Sequence, residues 1–360
     1  MDSPYRRELE VAIGAVQAAA GVSRAVISAV DKHVMEKEDL SPVTVADFAI
    51  QALLTKTLQD AFPGDRFVAE ETAGALRSDG DLLARVHSLL LRLRDAPNCT
   101  VPESEEAVCD IIGDGSGGAG RTTRLGADSG RVWVFDPIDG TKTFVRGEMY
   151  GINVALLEGG RQMLSVVACP LLSMDARAPV ANDSVDATGQ GCILFAVRGH
   201  GAYVRPLPGS PAEVQVRKLQ RHADAVLSVD QLKSVSGWSL VDSGIGDVHK
   251  TVTEKLGVQF PGCDLLGWVP RWAVMALGLA NMTVWVYKSR DRHAKIWDHA
   301  GAMLLFEEVG GIITDVDGKD IDLSAGRKLS NNFGFVAAPR SVHQAVLKAV
   351  REALRPELRV

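Results

Sequence analysis

The sequence contains no uncharged apolar run of about eighteen residues, the length a membrane-spanning helix needs. Its first residues, Met1 to Glu8, lack the apolar segment of a secretory signal. The five cysteines are an odd number and show no paired metal-binding spacing. These three absences predict a protein of the reduced, cytoplasmic compartment that is neither secreted nor inserted into a membrane.

Positive charge is not in excess either, since the formal net charge is -6. This balance argues against binding to a nucleic-acid polymer, although it leaves room for a local basic pocket that holds a small anion. No internal repeat is present. With 360 residues, of which 46% are hydrophobic, the chain can bury the core of one large or two medium domains.

A glycine-rich segment, Gly113 to Gly120, has the composition of a phosphate-binding loop but lacks the Lys-Ser/Thr that follows in a P-loop. No strong apolar strand leads into it. It lies within residues 95–130, which are rich in Pro, Gly, Ser and acids. The glycine-rich segment itself, Gly113 to Gly120, is therefore expected to be a flexible surface loop.

The most informative stretch is an apolar strand from Val132 to Phe135 that runs directly into Asp136-Pro-Ile-Asp-Gly-Thr. Pro137 stiffens the turn, so the two aspartates can converge, and the Ile138 carbonyl can point the same way. Three hard oxygen ligands within four residues suit Mg²⁺. Gly140 allows a phosphate to approach the main chain, where a helix beginning near Thr141 would bind it. The alternative is an ordinary strand-to-turn transition, for which Asp, Pro and Gly are also common.

Three more acidic positions lie at the ends of predicted elements. Asp47 falls in the first turns of a helix that Ser41-Pro42 is expected to open, where an acid also simply complements the helix dipole. Glu70 follows a strand at residues 66–69, and Asp298 precedes a helix that Gly310-Gly311 ends. Two metal ions held by bridging carboxylates can polarise a phosphate ester and activate a water molecule.

Five blocks, in the same order along the chain, resemble the inositol monophosphatase-like superfamily of Mg²⁺-dependent phosphatases: residues 41–47, 69–72, 136–141, 297–301 and 310–315. The resemblance implies two or three Mg²⁺ ions and a layered α-β-α-β-α sandwich of the inositol monophosphatase and fructose-1,6-bisphosphatase type, α+β in its first half and α/β in its second. It also implies that Asp47 and Thr141 activate the attacking water, because a threonine hydroxyl relays a proton only if a carboxylate accepts its own. The implied metal ligands are Glu70, Asp136, the Ile138 carbonyl, Asp139 and Asp298.

Within the superfamily the sequence is most similar to 3'(2'),5'-bisphosphate nucleotidases, on residues 136–147, 198–202 and 295–299. The resemblance implies removal of the 3'-phosphate from adenosine 3',5'-bisphosphate, the by-product of sulfate transfer. Lys142 and Arg146 beside the metals suit a substrate with more than one phosphate, or are plain surface charges. The predicted substrate-binding residues are Gly140, Thr141, Lys142, Trp268, Arg271 and Lys295.

One segment departs from that resemblance. Those nucleotidases carry Asp-Ser-x-x-Lys where this chain has Gly267-Trp-Val-Pro-Arg271. Arg271 replaces the lysine as a candidate phosphate partner, while Trp268 either stacks on a base or packs in the core. The catalytic centre therefore resembles the family closely, whereas the substrate pocket differs.

The remaining pattern predicts two domains that meet at the metal site. Strand-like runs between residues 150 and 204, joined by short links such as 158–161, indicate a large antiparallel sheet in residues 1–205. Residues 206–211 are rich in proline and mark the boundary, and residues 212–360, with strands expected at 225–229 and 239–241, form the α/β part. We expect an Mg²⁺-dependent phosphomonoester hydrolase acting on a small phosphorylated substrate. The alternatives are an inositol, sugar or specialised-metabolite phosphatase with an altered pocket, or a catalytically silent binding or regulatory relative.

Overall fold

The computed structural model describes residues 3–28, 34–36, 42–115, 125, 130–209, 214–221, 226–238 and 244–354. Within these ranges the helices are α1 (Arg6–Ser28), α2 (Val45–Ala61), α3 (Gly74–Ser78), α4 (Gly80–Leu91), α5 (Glu105–Gly115), α6 (Thr141–Phe144), α7 (Gly246–Lys255), α8 (Trp268–Ala276), α9 (Ala300–Glu308) and α10 (His343–Ala353). The strands are β1 (Val34–Glu36), β2 (Pro42–Thr44), β3 (Arg66–Ala69), β4 (Arg131–Asp139), β5 (Gly151–Glu158), β6 (Arg161–Cys169), β7 (Cys192–Val197), β8 (Gly201–Pro206), β9 (Arg217–Lys218), β10 (Val235–Ser236), β11 (Cys263–Asp264), β12 (Thr283–Trp285), β13 (Gly311–Thr314) and β14 (Phe335–Pro339).

The larger sheet has seven strands in the order β3-β4-β5-β6-β7-β8-β9. Neighbours from β4 to β9 are antiparallel, whereas β3 and β4 are parallel. Ala69 pairs with Phe135, the residues just before Glu70 and Asp136. The carboxyl ends of β3 and β4 therefore bring these two acids to one edge of the sheet.

Side chains of β4 alternate between two cores, as the period of a strand demands. Trp133 and Phe135 pack with α1 and α2, while Val132 and Val134 belong to the core that contains α8 and α9. Helix α9 also contacts the small sheet, and α10 packs on the far side of that sheet and against α7. The layers are thus helix, sheet, helix, sheet, helix, which confirms the predicted sandwich.

The smaller sheet has the order β12-β14-β13, and both of its pairings are antiparallel. Beside it, β10 and β11 form a short parallel pair. The two-residue strand β9, which follows the predicted boundary at residues 206–211, still pairs with β8 of the large sheet.

Helix α1 contains the residues Arg6–Ile27, which by length and mean hydropathy resemble a membrane-spanning segment. Core helices of soluble proteins have the same properties, and half of this segment is buried against the rest of the protein. Its contacts with α2 and with β6 place it in the outer helical layer.

Three local predictions were wrong. Pro42 does not open a helix, because Pro42–Thr44 pairs with Val34–Glu36 and α2 begins only at Val45. Residues 113–115 of the expected glycine-rich loop belong instead to helix α5, whose Val108, Cys109 and Ile112 are buried. The expected strand at 225–229 is not formed by its described residues, since Val226 is 94% exposed and Val229–Gln231 is a 3-10 turn. Ser41, residues 239–241 and residues 116–120 of the glycine-rich segment lie outside the described residues.

Candidate active site

Three acids meet at the edge of the large sheet. Carboxylate oxygens of Asp136, Asp139 and Asp298 all lie within 4.8 Å of one another. Asp136 and Asp139 lie at the end of β4, and Asp298 stands two residues before α9. Two segments that are distant in the sequence thus supply one cluster, as the motif pattern predicts.

The turn after β4 is built by its own side chains and main chain. Asp136 Oδ1 accepts a hydrogen bond from the Ile138 N–H at 3.0 Å, which orients the carboxylate. Gly140 has a φ of 93°, a conformation that favours glycine, and it directs the chain into α6 at Thr141. The Thr141 hydroxyl donates to the Ile138 carbonyl at 3.3 Å. A helix beginning at Thr141 is therefore confirmed, although it is only four residues long.

Asp139 is held from the other half of the molecule. Its Oδ2 accepts a hydrogen bond of 2.5 Å from the Val269 N–H, in the first turn of α8. This approach depends on Gly267, because a Cβ there would lie 2.7 Å from the same oxygen. The sequence pattern did not reveal either contact, because a main-chain donor from a distant segment leaves no residue-type signal.

Asp298 is placed by an asparagine that sequence reasoning also missed. Asn153 pairs with Asp136 across β4 and β5, and its Nδ2 donates to the Trp297 carbonyl at 2.5 Å. On the other side of this turn, a Cβ at Gly301 would collide with Asn153 Oδ1. The only signal in the sequence was the polar side chain of Asn153 within an otherwise apolar, buried strand.

The electrostatics of the cluster are those of crowded, buried acids. Burial raises the pKa values of Asp136 and Asp298 well above their usual range, and repulsion from the neighbouring carboxylates adds to this. Burial also raises the pKa of Asp139 to about 7, although the Val269 hydrogen bond and the charge of Arg271 oppose the rise. Buried carboxylates persist when they are paired or coordinate a metal. An all-oxygen, anionic donor set at this spacing fits a hard divalent cation such as Mg²⁺.

Glu70 lies at the border of this cluster. Its negative charge contributes to the raised pKa values of all three aspartates. The turn after β3 is fixed by Gln51, which donates to the Glu71 carbonyl at 2.9 Å and accepts from the Glu71 N–H at 2.7 Å. The predicted metal ligand is thus near the other acids, and its ligand role stays a prediction, like that of the Ile138 carbonyl.

Asp47 and Thr141 are both brought toward the cluster. Asp47 is fully buried in the first turn of α2, and its charge contributes to the raised pKa of Asp136. Thr141 is 9% exposed and begins α6, which contacts β2 immediately before α2. Their predicted joint role in activating water is compatible with this placement and stays a prediction.

The predicted substrate contacts fall into two groups. Gly140 and Lys142 lie on the solvent side of the turn, where Gly140 is half-buried and Lys142 is exposed. Lys295 is half-buried, its Nζ lies 5.4 Å from the centre of the Trp297 ring, and its charge opposes the rise in the pKa of Asp298. All three residues are accessible to solvent at least in part, and their contacts with a substrate stay predictions.

Trp268 and Arg271 require a correction. Arg271 is 1% exposed, its Nε donates to the Leu265 carbonyl at 2.7 Å, and its Nη2 donates to the Leu266 carbonyl at 2.8 Å. Its guanidinium lies against the rings of both Trp268 and Trp285, 4.4 and 4.6 Å from their centres. Burial lowers the pKa of Arg271 to about 10. The expectation that Arg271 faces a phosphate does not match this enclosed position.

Trp268 is 9% exposed and packs in the same aromatic cluster, against Trp272, Trp285, His299 and Phe335. The packing interpretation therefore describes its contacts better than stacking on a base. A tryptophan followed three residues later by an arginine on the first turn of a helix does not reveal which way the pair faces. Only the neighbouring sheet decides this.

The layered sandwich carries a cluster of acids at the end of β4 and before α9, as a metal-dependent phosphatase would require. The family model described as "Inositol monophosphatase family" matches residues 6–355, and the chain belongs to that family. It is thus a phosphomonoester hydrolase by class, in a family that is generally metal-dependent.

Relatives support a narrower grouping. The chain is 35% identical to a 3'(2'),5'-bisphosphate nucleotidase of Emericella nidulans over 98% of this chain and 99% of that protein. It is 32% identical to one of Schizosaccharomyces pombe over 96% and 95%, and 33% identical to one of Oryza sativa over 99% and 96%.

Solved structures show the same fold. An IMPase/NADP phosphatase complexed with NADP and Ca²⁺ has a TM-score of 0.60 at 18% identity, with 97% of each chain covered. A Thermotoga maritima IMPase has a TM-score of 0.58 at 19% identity, covering 96% of this chain and 98% of that one.

Proposed function

We propose that this protein is a Mg²⁺-dependent 3'(2'),5'-bisphosphate nucleotidase that converts adenosine 3',5'-bisphosphate to AMP and phosphate in the cytoplasm. The observation that carries the proposal is the cluster of Asp136, Asp139 and Asp298, with Glu70 beside it. The nucleotidases that match nearly the whole chain support the choice of substrate.

Glu70, Asp136, the Ile138 carbonyl, Asp139 and Asp298 would hold two or three Mg²⁺ ions. Bound Mg²⁺ supplies a Lewis acid that polarises the phosphate ester, stabilises the leaving oxygen and lowers the pKa of a bound water. The chain's own part is to hold these oxygens in place before the substrate arrives, which the hydrogen bonds from the N–H groups of Ile138 and Val269 accomplish.

Proton transfer is assigned to Thr141 and Asp47. The Thr141 Oγ1 would accept a proton from the attacking water while its own proton passes to the Asp47 carboxylate. Burial of Asp47 keeps bulk water away from that acceptor. The phosphate would approach the main chain of the turn at Gly140, and Lys142 and Lys295 would bind the negative charge of the substrate.

The deciding experiment measures phosphate release with Mg²⁺ from adenosine 3',5'-bisphosphate, with inositol 1-phosphate, inositol 1,4-bisphosphate and fructose 1,6-bisphosphate in parallel. We expect a strong preference for the nucleotide and its loss in Asp136→Asn. An Asp136→Asn variant with full turnover contradicts the metal-dependent reaction. Ligand-induced stabilisation without turnover of any ester would indicate a silent binding protein instead.

A second candidate is a phosphatase for an inositol, sugar or specialised-metabolite phosphate. The observation that favours it is the aromatic enclosure of Arg271 by Trp268 and Trp285, which removes a cation from the solvent side of α8. This alternative would be established if the protein released no phosphate from adenosine 3',5'-bisphosphate but hydrolysed another ester in the same panel.

A further inference from the structure

Arg327 contacts the main chain at the end of β3. Its Nη1 donates to the Ala69 carbonyl at 2.8 Å, and its Nη2 donates to the Glu70 carbonyl at 3.1 Å. The planar guanidinium presents its donors as a rigid fork, so two consecutive carbonyls fix its orientation as well as its distance. These contacts hold the residue that carries the Glu70 carboxylate.

The same residue is tied to the turn that carries Asp298. The Arg327 guanidinium lies over the Trp297 ring, 4.5 Å from its centre. The Arg327 carbonyl accepts from the Ile296 N–H at 3.1 Å, and the Leu329 N–H donates to the Ala294 carbonyl at 3.0 Å. Residues 327–329 therefore run antiparallel to residues 294–296, directly before Trp297 and Asp298.

We propose that Arg327 is a positioning residue for the metal site, which sets the distance between Glu70 and Asp298 by joining the end of β3 to the Trp297 turn. The inference rests on the proposed function in one respect, namely that the acid cluster binds Mg²⁺. It assigns Arg327 no contact with metal or substrate.

The physical reason is that Glu70 and the cluster repel one another in the metal-free protein. All four groups are carboxylates, and like charges at short range repel one another. Asp136 and Glu70 are aligned by the pairing of β3 with β4, but Asp298 comes from a segment outside that sheet. Asn153 ties the Asp298 turn to β5, and Arg327 adds the direct link from this turn to the end of β3 that carries Glu70.

A purely structural role for Arg327 makes a different prediction. Removing an arginine that only ties two loops would lower stability and leave the metal affinity of the folded fraction unchanged. Arg205 offers a control, because its side chain also donates to two carbonyls, those of Pro206 and Gly209. It is buried, whereas Arg327 is half-buried. Arg205 belongs to β8, the fourth strand from β4 in the large sheet.

The test is a titration of the full-length protein with Mn²⁺, followed by electron paramagnetic resonance without substrate, for wild type, Arg327→Gln, Arg327→Lys and Arg205→Gln. Loss of residues that orient metal ligands typically costs about ten- to a hundredfold in affinity, and we expect that loss in Arg327→Gln. Arg327→Lys keeps the charge but not the fork, so an intermediate loss is expected. Arg205→Gln should bind Mn²⁺ within about twofold of wild type, because its contacts are remote.

Kinetics give a second readout. The Mg²⁺ concentration for half-maximal phosphate release should rise in Arg327→Gln by a factor similar to the Mn²⁺ result. Turnover at saturating Mg²⁺ should fall much less, since the reacting groups themselves are unchanged. Thermal melting in EDTA establishes how much of each variant is folded.

Unchanged Mn²⁺ affinity in folded Arg327→Gln, or an equal loss in Arg205→Gln, overturns the proposal. If Arg327→Gln does not fold, the Mn²⁺ affinities of Arg327→Lys and Trp297→Leu decide. Trp297→Phe is their control, because it keeps an aromatic ring under the guanidinium. Wild-type affinity in both Arg327→Lys and Trp297→Leu overturns the proposal. Wild type that binds Mn²⁺ but hydrolyses no ester refutes the proposed function alone, because the binding comparison still decides the role of Arg327. Wild type that binds no Mn²⁺ refutes both.

Discussion

Replacing Asp139 by asparagine should stabilise the metal-free protein, although it removes a predicted metal ligand. The pKa of Asp139 is raised from 3.8 to about 7, chiefly by burial. A shift of about 3 units at 1.36 kcal/mol each means that the ionised carboxylate costs the fold about 4 kcal/mol above pH 7. The asparagine amide would carry no charge, and its oxygen would still accept the Val269 N–H.

The sign of the pH dependence follows from the raised pKa. A carboxyl that holds its proton more tightly when folded contributes stability below about pH 4, and this contribution is lost as the pH rises toward 7. In EDTA at pH 8 the gain from Asp139→Asn should approach about 4 kcal/mol, and at pH 4.5 it should fall to about 1 kcal/mol.

Mg²⁺ should make wild type more stable than Asp139→Asn, the reverse of the order in EDTA. A ligand at about 1,000 times its Kd stabilises the folded state by about 4.1 kcal/mol, and the variant would lose most of that gain. Urea denaturation of both proteins at each pH, in EDTA and in Mg²⁺, measures the differences. Asp183→Asn, an exposed acid, is the control and should stay within about 0.5 kcal/mol. The reasoning is refuted if Asp139→Asn is no more stable than wild type in EDTA at pH 8.

Three further outcomes are expected. Asp47→Asn and Thr141→Ala should each lower kcat by about 10²- to 10⁴-fold with Mn²⁺ affinity nearly unchanged; a large loss of Mn²⁺ binding would instead make them metal-site residues. Lys142→Ala should raise KM for a bisphosphate more than for a monophosphate at similar kcat, and an equal KM for both would mark Lys142 as a plain surface charge. Gly301→Ala should lower the free energy of unfolding by about 1–3 kcal/mol, because its Cβ would collide with Asn153 Oδ1. Urea denaturation measures this change, and an unchanged free energy of unfolding would contradict the prediction by showing that the turn relaxes to accept the Cβ.

Local rules failed where tertiary contacts outweighed them. Ser41-Pro42 has the pattern of a helix start, yet Pro42–Thr44 gains more from pairing with β1. Helix α5 was hidden by its polar surroundings, because three buried residues, Val108, Cys109 and Ile112, suffice to anchor it. Val226 looks like a core residue by type, but nothing covers it among the described residues.

The acids themselves were visible in the sequence. Asp136 and Asp139 end an apolar strand, Glu70 follows another, and Asp298 precedes a helix, so each was recognisable from a local pattern and a family resemblance. The alternation of β4 between two cores followed from the period of a strand. The local patterns indicated acids at the ends of elements, and the family resemblance supplied the layered fold class and the complete ligand set.

What holds those acids, and what faces the substrate, depended on packing between distant segments. Asn153, the Val269 N–H and the Arg327 fork act on residues 130 or more positions away in sequence, and their contacts are mostly with main-chain atoms. Arg271 is the same residue whether it points outward to a phosphate or inward against two tryptophans. Its inward position is held by hydrogen bonds to the carbonyls of Leu265 and Leu266 and by the two rings, because a buried guanidinium must find acceptors within the protein.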